Sequence, residues 1–176
     1  MRKFLKLFGY FLFFLLALVV FTPKESVYYL IEKELQPYGV VIDAQELEDN
    51  LFWLEVKDAT IYVQGVDVAK VANLRITLLG FYNALEADGI NLGGMAANFI
   101  PPKVVTLKVK YHLLYPLAVT LDADGAFGQA KAQLKLLDQN ISLHLTPSKL
   151  MQQKYGSSLR MLKKQTNGGY EYEEAF

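Results

Sequence analysis

The chain has no cysteine, two histidines and one tryptophan among its 176 residues. Without cysteine it forms no disulfide, no thiolate nucleophile and no zinc–thiolate centre. Basic and acidic residues both number 18, so the net charge near zero gives no reason to expect a nucleic-acid partner. The length suits one domain of modest core together with a membrane segment.

Charged residues are absent between Lys6 and Lys24, directly after the basic start RKFLK. A spanning helix needs about 20 apolar residues, whereas the apolar region of a cleaved signal peptide has about 7–15. After Ala17 there is no pair of small residues that a signal peptidase would cut, which favours an uncleaved anchor. We therefore predict that 1–22 form a cytoplasmic stub and transmembrane helix in the bacterial inner membrane, with a single pass. The rest of the chain would lie in the periplasm.

The segment 23–39 is predicted to be a short juxtamembrane helix, because apolar residues recur at helical spacing in SVYYLIEKEL and Pro37 ends the pattern. From Val40 the pattern changes to alternation with period 2, as in LFWLEVKDATIYVQ, which is typical of strands. The segment 40–176 is thus predicted to be a mainly β domain: a curved antiparallel meander sheet, open or taco-like, or else a closed barrel. Strands are expected near 40–47, 51–57, 59–64, 66–79, 85–92, 104–111, 117–124, 129–137 and 140–145.

An amphipathic helix is predicted near the C-terminus, over 148–164, and the strand-like YEYE follows it. A helix face or an added edge strand can bind another protein. The residues predicted to contact a partner are Met151, Tyr155, Leu159, Leu162, Tyr170 and Tyr172.

The apolar positions of the later strands have two interpretations. They are either an ordinary core or the lining of a groove that shelters a lipid chain, and the two predicted helices offer little cover for a long sheet. The predicted lining residues are Val105, Leu107, Val109, Leu121, Leu134, Leu136 and Leu143. On the opposite parity, Lys108, Lys110, Lys131 and Lys135 form either a solvated face or a contact for anionic lipid heads.

Residues that could support catalysis are few. His112 and His144 would have to meet with a carboxylate to form a catalytic or metal site. Asp122 and Asp124 begin like a calcium loop but lack its later ligands, and Asp124-Gly125 suits a tight hairpin turn instead. We therefore expect no enzyme, no metal and no cofactor.

The order of segments resembles a known family. A membrane span, a short helix ending in PYGVVIDAQELE, and then FWLEVKDATIYVQGVDVAKVANLRITLL are similar to the opening of the type II secretion system protein N family and of AsmA-like proteins. The final LTPSKLMQQKYGSSLRMLKKQTNGGYEYEEAF is similar to that family's helix and aromatic strand. The resemblance implies an inner-membrane protein with a mostly β periplasmic domain. Its partners would be components of an envelope or secretion complex, or a phospholipid in an apolar groove.

Overall fold

A computed structural model describes residues 2–21, 23–94, 96–112, 117–166 and 168–175. Met1 and Thr22, the ends of the predicted anchor, lie outside the described residues. Helix α1 covers Arg2–Phe21, and helix α2 covers Lys24–Leu35 and ends in a 3-10 turn at Gln36–Tyr38. A helix is therefore present within the predicted range 23–39, although its last turn is of the tighter 3-10 kind.

The transmembrane helix predicted over 1–22 is not supported. Within the described parts of the chain, no helix combines the length and the apolar character that crossing a membrane requires.

Within the residues that the structure describes, the strands form one open antiparallel sheet of eleven strands, so the predicted meander is confirmed and the closed barrel is wrong. The hydrogen-bonded order is β1-β3-β4-β5-β6-β7-β8-β9-β11-β10, and β2 lies beside β1 on the outer edge of β3. The strand bounds are β1 Val40–Asp43, β2 Glu46–Asp49, β3 Trp53–Val63, β4 Val66–Leu78, β5 Tyr82–Leu92, β6 Lys103–His112, β7 Ala118–Gly125, β8 Gly128–Lys135, β9 Asn140–Pro147, β10 Lys163–Lys164 and β11 Tyr170–Ala175.

One face of the sheet, called here the inner face, carries the core. Helix α2 packs on β1, β2 and β3, and its Tyr28 belongs to the same buried cluster as Leu54 and Val56, which are fully buried. At the other end, α3 (Lys149–Lys154) and α4 (Gly156–Leu159) add Met151 and Leu159 to that cluster. Each of the helices α2, α3 and α4 therefore contributes one buried side chain to the core cluster.

The single helix predicted over 148–164 is wrong. Ser148 begins α3, since its side chain accepts a hydrogen bond from the Met151 N–H at 3.1 Å. Tyr155, with φ −120°, then interrupts the helix before Gly156. The Ser158 hydroxyl donates to the Phe99 carbonyl at 2.7 Å, which fixes α4 against the connection between β5 and β6.

A line of irregular pairing crosses four adjacent strands, and we call it the crease. In each of these strands, the pairing with the neighbouring strand skips one residue. The skipped residues are Asp58, Ala72, Gly89 and Val105. Asp58 and Gly89 have positive φ, 49° and 66°. On either side of the crease the buried residues are three positions apart rather than two: Val56 and Ala59, Leu74 and Val71, Ala87 and Ile90, Leu107 and Val104. The extra residue keeps both halves of each strand apolar on the inner face.

Candidate functional site

Five of the seven residues predicted to line a lipid groove lie on the inner face of neighbouring strands. Leu107 packs against the core cluster. The others, Val109, Leu121, Leu134 and Leu143, are partly buried and lie outside that cluster. We call these four residues the apolar strip. Val109 is opposite Leu121, and Ala132 lies between Leu121 and Leu143 in the register, so the strip crosses β6 to β9.

The other two predicted lining residues lie elsewhere. Val105 is 59% exposed on the outer face, because the crease reverses the parity of β6 and places Val104 in the core instead. Leu136 follows the end of β8 and is 42% exposed, with its N–H donating to the Leu117 carbonyl. The predicted lining is therefore wrong at these two positions.

The cover over the inner face is uneven. Below α2, Leu54 and Val56 are fully buried. Helix α3 contacts β9 near Leu145, which is 7% exposed. The apolar strip lies between these two covered ends, and its side chains keep part of their surface open. An apolar surface of this kind is able to take a hydrocarbon chain or an apolar side chain of another protein.

The outer face carries a row of charged residues that spans the sheet, called here the charge row. Each member lies directly opposite the next in the strand register, and from Glu55 to Lys131 the signs alternate. The members are Glu48, Glu55, Arg75, Glu86, Lys108, Asp122, Lys131, His144, Glu171 and Lys163. Opposite charges at facing positions stabilise a given register.

Close contacts within the charge row support this arrangement. Lys108 Nζ forms an ion pair with Glu86 Oε1 at 3.6 Å, and His144 Nε2 lies 3.3 Å from Glu171 Oε1. Lys108 is also opposite Asp122, and Lys131 lies on the other side of Asp122. These two lysines therefore alternate with carboxylates and do not form the continuous basic surface that binding to anionic lipid heads would use.

The six predicted partner contacts differ in accessibility. Met151 and Leu159 are 2% and 3% exposed in the protein's own core, so the prediction is wrong for them. Their helical spacing serves packing on the sheet. Tyr155, Leu162 and Tyr170 also pack against that core. Tyr172, on β11, is 38% exposed, which leaves it as the accessible member of the set.

The strand β11 forms most of one edge of the sheet. All six of its residues pair with β9, but on its other side only Tyr170 and Glu171 pair, with Lys164 and Lys163 of β10. In the described part of the chain, no strand pairs with the outer side of 172–175. The Tyr172 hydroxyl donates to Glu174, and this hydrogen bond raises the pKa of the tyrosine. The free edge is thus an accessible row of backbone donors and acceptors.

The candidate catalytic residues do not come together. His112, on β6, stacks against Tyr82 with ring centroids 4.6 Å apart, whereas His144 pairs with Glu171 on β9 and β11. Asp124 accepts a hydrogen bond from Gln129 Nε2 at 3.0 Å. A search of the described residues finds no cluster of three metal-binding side chains.

The hairpin turn predicted at Asp124-Gly125 lies two residues further on. Gly125 is the last residue of β7 and pairs with Gly128, so the turn residues are Ala126 and Phe127. Phe127 is 6% exposed and belongs to the core cluster. The burial of its ring accounts for the displaced turn.

A shallow outer-face cavity of about 460 Å³ lies at the crease. Its polar side chains are those of Gln45, Asp58, Thr60, Lys70 and Asn91, and the crease residues Ala72 and Gly89 also line it. Lys70 Nζ lies 3.7 Å from Asp67 Oδ2.

Comparison with known proteins gives no assignment. No family model, no curated protein and no solved structure matches this chain.

Proposed function

We propose that this protein is a non-enzymatic component of the bacterial envelope, attached to a membrane by α1, whose sheet is a scaffold for other proteins of a secretion-type assembly. The observation that carries the proposal is the free edge of β11. The strands from β3 to β9 are paired on both sides, whereas residues 172–175 of β11 pair only with β9 within the described residues. An edge strand of this kind binds partners by adding a strand. The resemblance to the type II secretion system protein N family supports the same proposal.

Membrane attachment is proposed because of the surface of α1. Its apolar side chains are exposed around the helix, with Phe8, Phe11 and Phe14 more than half exposed. Burying each such side chain in lipid contributes about 1.5–3 kcal/mol.

Flotation of the full chain with phospholipid vesicles tests this attachment. We expect Phe11→Asp combined with Phe14→Asp to release the protein from the vesicles. The matched control is Phe81→Asp, which changes an exposed phenylalanine, 63% exposed, outside α1. Vesicle binding that survives the double change in α1 would remove α1 as the attachment.

The predicted location, with the domain in the periplasm, is tested by labelling. The chain has no cysteine, so one introduced at the exposed Asp138 is the sole site for a thiol reagent. Labelling by an impermeant reagent after permeabilisation of the outer membrane supports a periplasmic domain. Labelling only after lysis of the cells refutes it.

A second candidate function is lipid binding, which the apolar strip favours. Its four side chains are partly open on the inner face and lie outside the buried core cluster. Photocrosslinking in cells separates the two functions. A probe at Val109 that yields lipid adducts supports lipid binding, whereas a probe at Tyr172 that yields adducts with envelope proteins supports the scaffold. If Val109 yields only adducts within the chain, the lipid function is refuted.

A further inference from the structure

The edge of the sheet at β11 contains two glutamates on the outer face with different surroundings. Glu171 has His144 opposite on β9 and Lys163 opposite on β10, and Gln165 donates a hydrogen bond to it. Glu173 has Ser142 opposite on β9 and, within the described residues, no residue opposite on its outer side. Glu171 therefore has a basic residue opposite it on the outer side of β11, whereas Glu173, two positions further along the same face, does not in the described part of the chain.

We propose that the free edge of β11, 172–175, binds a strand of a partner protein in which basic and apolar residues alternate. This inference rests on the proposed scaffold function and names the chemistry of its partner. A basic residue facing Glu173 repeats the relationship between Lys163 and Glu171. An apolar residue on the inner face packs against Tyr172, which is 38% exposed.

Charge is the argument for this occupant. Glu173 puts an exposed carboxylate on the outer face of the free edge, whereas Glu174 shares the inner face with Tyr172, whose hydroxyl donates to it. Like charges directly opposite one another destabilise strand pairing, and opposite charges stabilise it. An acidic edge therefore rejects acidic strands and selects basic ones.

A second copy of this chain is a poor occupant for the same reason. Two β11 strands paired antiparallel about Glu173 would bring the two Glu173 carboxylates directly opposite each other. Part of the opposite edge of the sheet is acidic as well, since β2 has the sequence ELED. Pairing of β11 with β2 of another copy would therefore also bring like charges together, and charged edge strands are one way in which natural sheets limit edge-to-edge aggregation.

The test uses the full chain in detergent and a short synthetic peptide of alternating lysine and valine. Hydrogen exchange is measured at the amides of 172–175 with and without the peptide, and affinity is measured by fluorescence anisotropy. We expect slower exchange at those amides that face away from β9. A peptide of alternating glutamate and valine is expected to give no protection.

Two variants of equal charge change separate edge binding from general attraction. Glu173→Lys is expected to weaken binding of the basic peptide about fivefold or more, because an attraction becomes a repulsion. Glu34→Lys, at an exposed position on α2, is expected to change it less than twofold. Equal losses in the two variants would overturn the inference.

The outcome is distinct from that of the scaffold proposal. Protection of 172–175 by the basic peptide supports the inference, whether or not the cellular crosslinks at Tyr172 identify envelope proteins. Absence of protection at 172–175 overturns it, even when an envelope protein crosslinks to another part of the sheet.

Discussion

Lys24 Nζ lies 3.7 Å from Asp49 Oδ1, and the lysine side chain is only 2% exposed. This pair joins the first residue of α2 to the last residue of β2. One turn later, the Tyr28 hydroxyl lies 3.5 Å from the Ile42 carbonyl on β1. Helix α2 is thus held against β1 and β2 by contacts at its first residue and one turn further on.

Replacing this lysine is expected to destabilise the protein. Removal of one partner from a fully buried ion pair costs about 3–5 kcal/mol. Asp49 is 34% exposed and regains water, so we expect Lys24→Met to lower the free energy of unfolding by about 1–3 kcal/mol. Urea denaturation measures the change. Lys33→Met, at an exposed position on the same helix, is the control, and an equal loss in both variants would show that the pair contributes nothing.

Tyr28 predicts a loss of stability in alkali. Burial, and secondarily the charge of Glu32, raises its pKa from 10.0 to about 12. The native state therefore keeps a proton that the unfolded state loses between these values, and stability falls as the pH rises through this window. We expect the wild type to lose up to about 2–3 kcal/mol relative to Tyr28→Phe between pH 10 and 12. A constant difference between the two proteins across that range would contradict this prediction.

Gly89 is expected to be indispensable to the crease. Its φ is +66°, and an added Cβ would lie 2.9 Å from the Ala72 Cβ on the neighbouring strand. The left-handed conformation alone costs about 1–2 kcal/mol for another residue, so Gly89→Ala should cost at least this much in thermal or urea unfolding. Adding Ala72→Gly removes the contact but not the backbone strain. We expect it to recover part of the loss, and full recovery would show that φ is not the cause.

The crease also marks the limit of what the sequence predicts. Alternation in β6 and β7 correctly indicates strands and places Val109 and Leu121 on the inner face. The same rule misplaces Val105, because one residue in each of four strands interrupts the period. Gly89 inside a strand and the three-residue spacing of Val56 and Ala59 are the signals of it in the sequence. Neither signal identifies an interruption of the strand period unless the residues on the neighbouring strands are also known.

The C-terminal segment was mispredicted for a different reason. Met151 and Leu159 do lie at helical spacing, but amphipathic spacing does not reveal which surface the apolar face covers. The structure buries both against the protein's own sheet. The YEYE strand pairs with β9, and local sequence gives no indication of that partner. Long-range pairing, rather than local propensity, determines which edge of the sheet is free.

Lys108 and Lys110 provide a test of the charge row. Lys108 lies opposite Glu86 and Asp122, whereas Lys110 lies opposite Ala84 and Thr120. Lys108→Glu therefore aligns three carboxylates and should cost about 1 kcal/mol, while Lys110→Glu should stay within about 0.5 kcal/mol. Chemical denaturation at low and high salt measures both. Salt should reduce the cost at Lys108, and equal costs at the two positions would refute the register-dependent row.

Val105 and Val109 both lie on β6. Regular alternation would place them on the same face of the sheet, but the crease puts them on opposite faces. Val105 is 59% exposed on the outer face, and Val109 is partly buried in the apolar strip. We expect Val105→Asp to leave stability within about 0.5 kcal/mol. Val109→Asp should cost about 1–3 kcal/mol, because a carboxylate there loses part of its hydration.

The same two variants test the lipid function. In vesicle extraction or photocrosslinking with a lipid probe, we expect Val109→Asp to lose lipid adducts and Val105→Asp to retain them. Circular dichroism must show that Val109→Asp remains folded for this comparison to hold, and Val109→Thr, which keeps the shape of the side chain, replaces it otherwise. Equal lipid labelling of both folded variants would refute lipid binding by the apolar strip and leave the scaffold function as the remaining proposal.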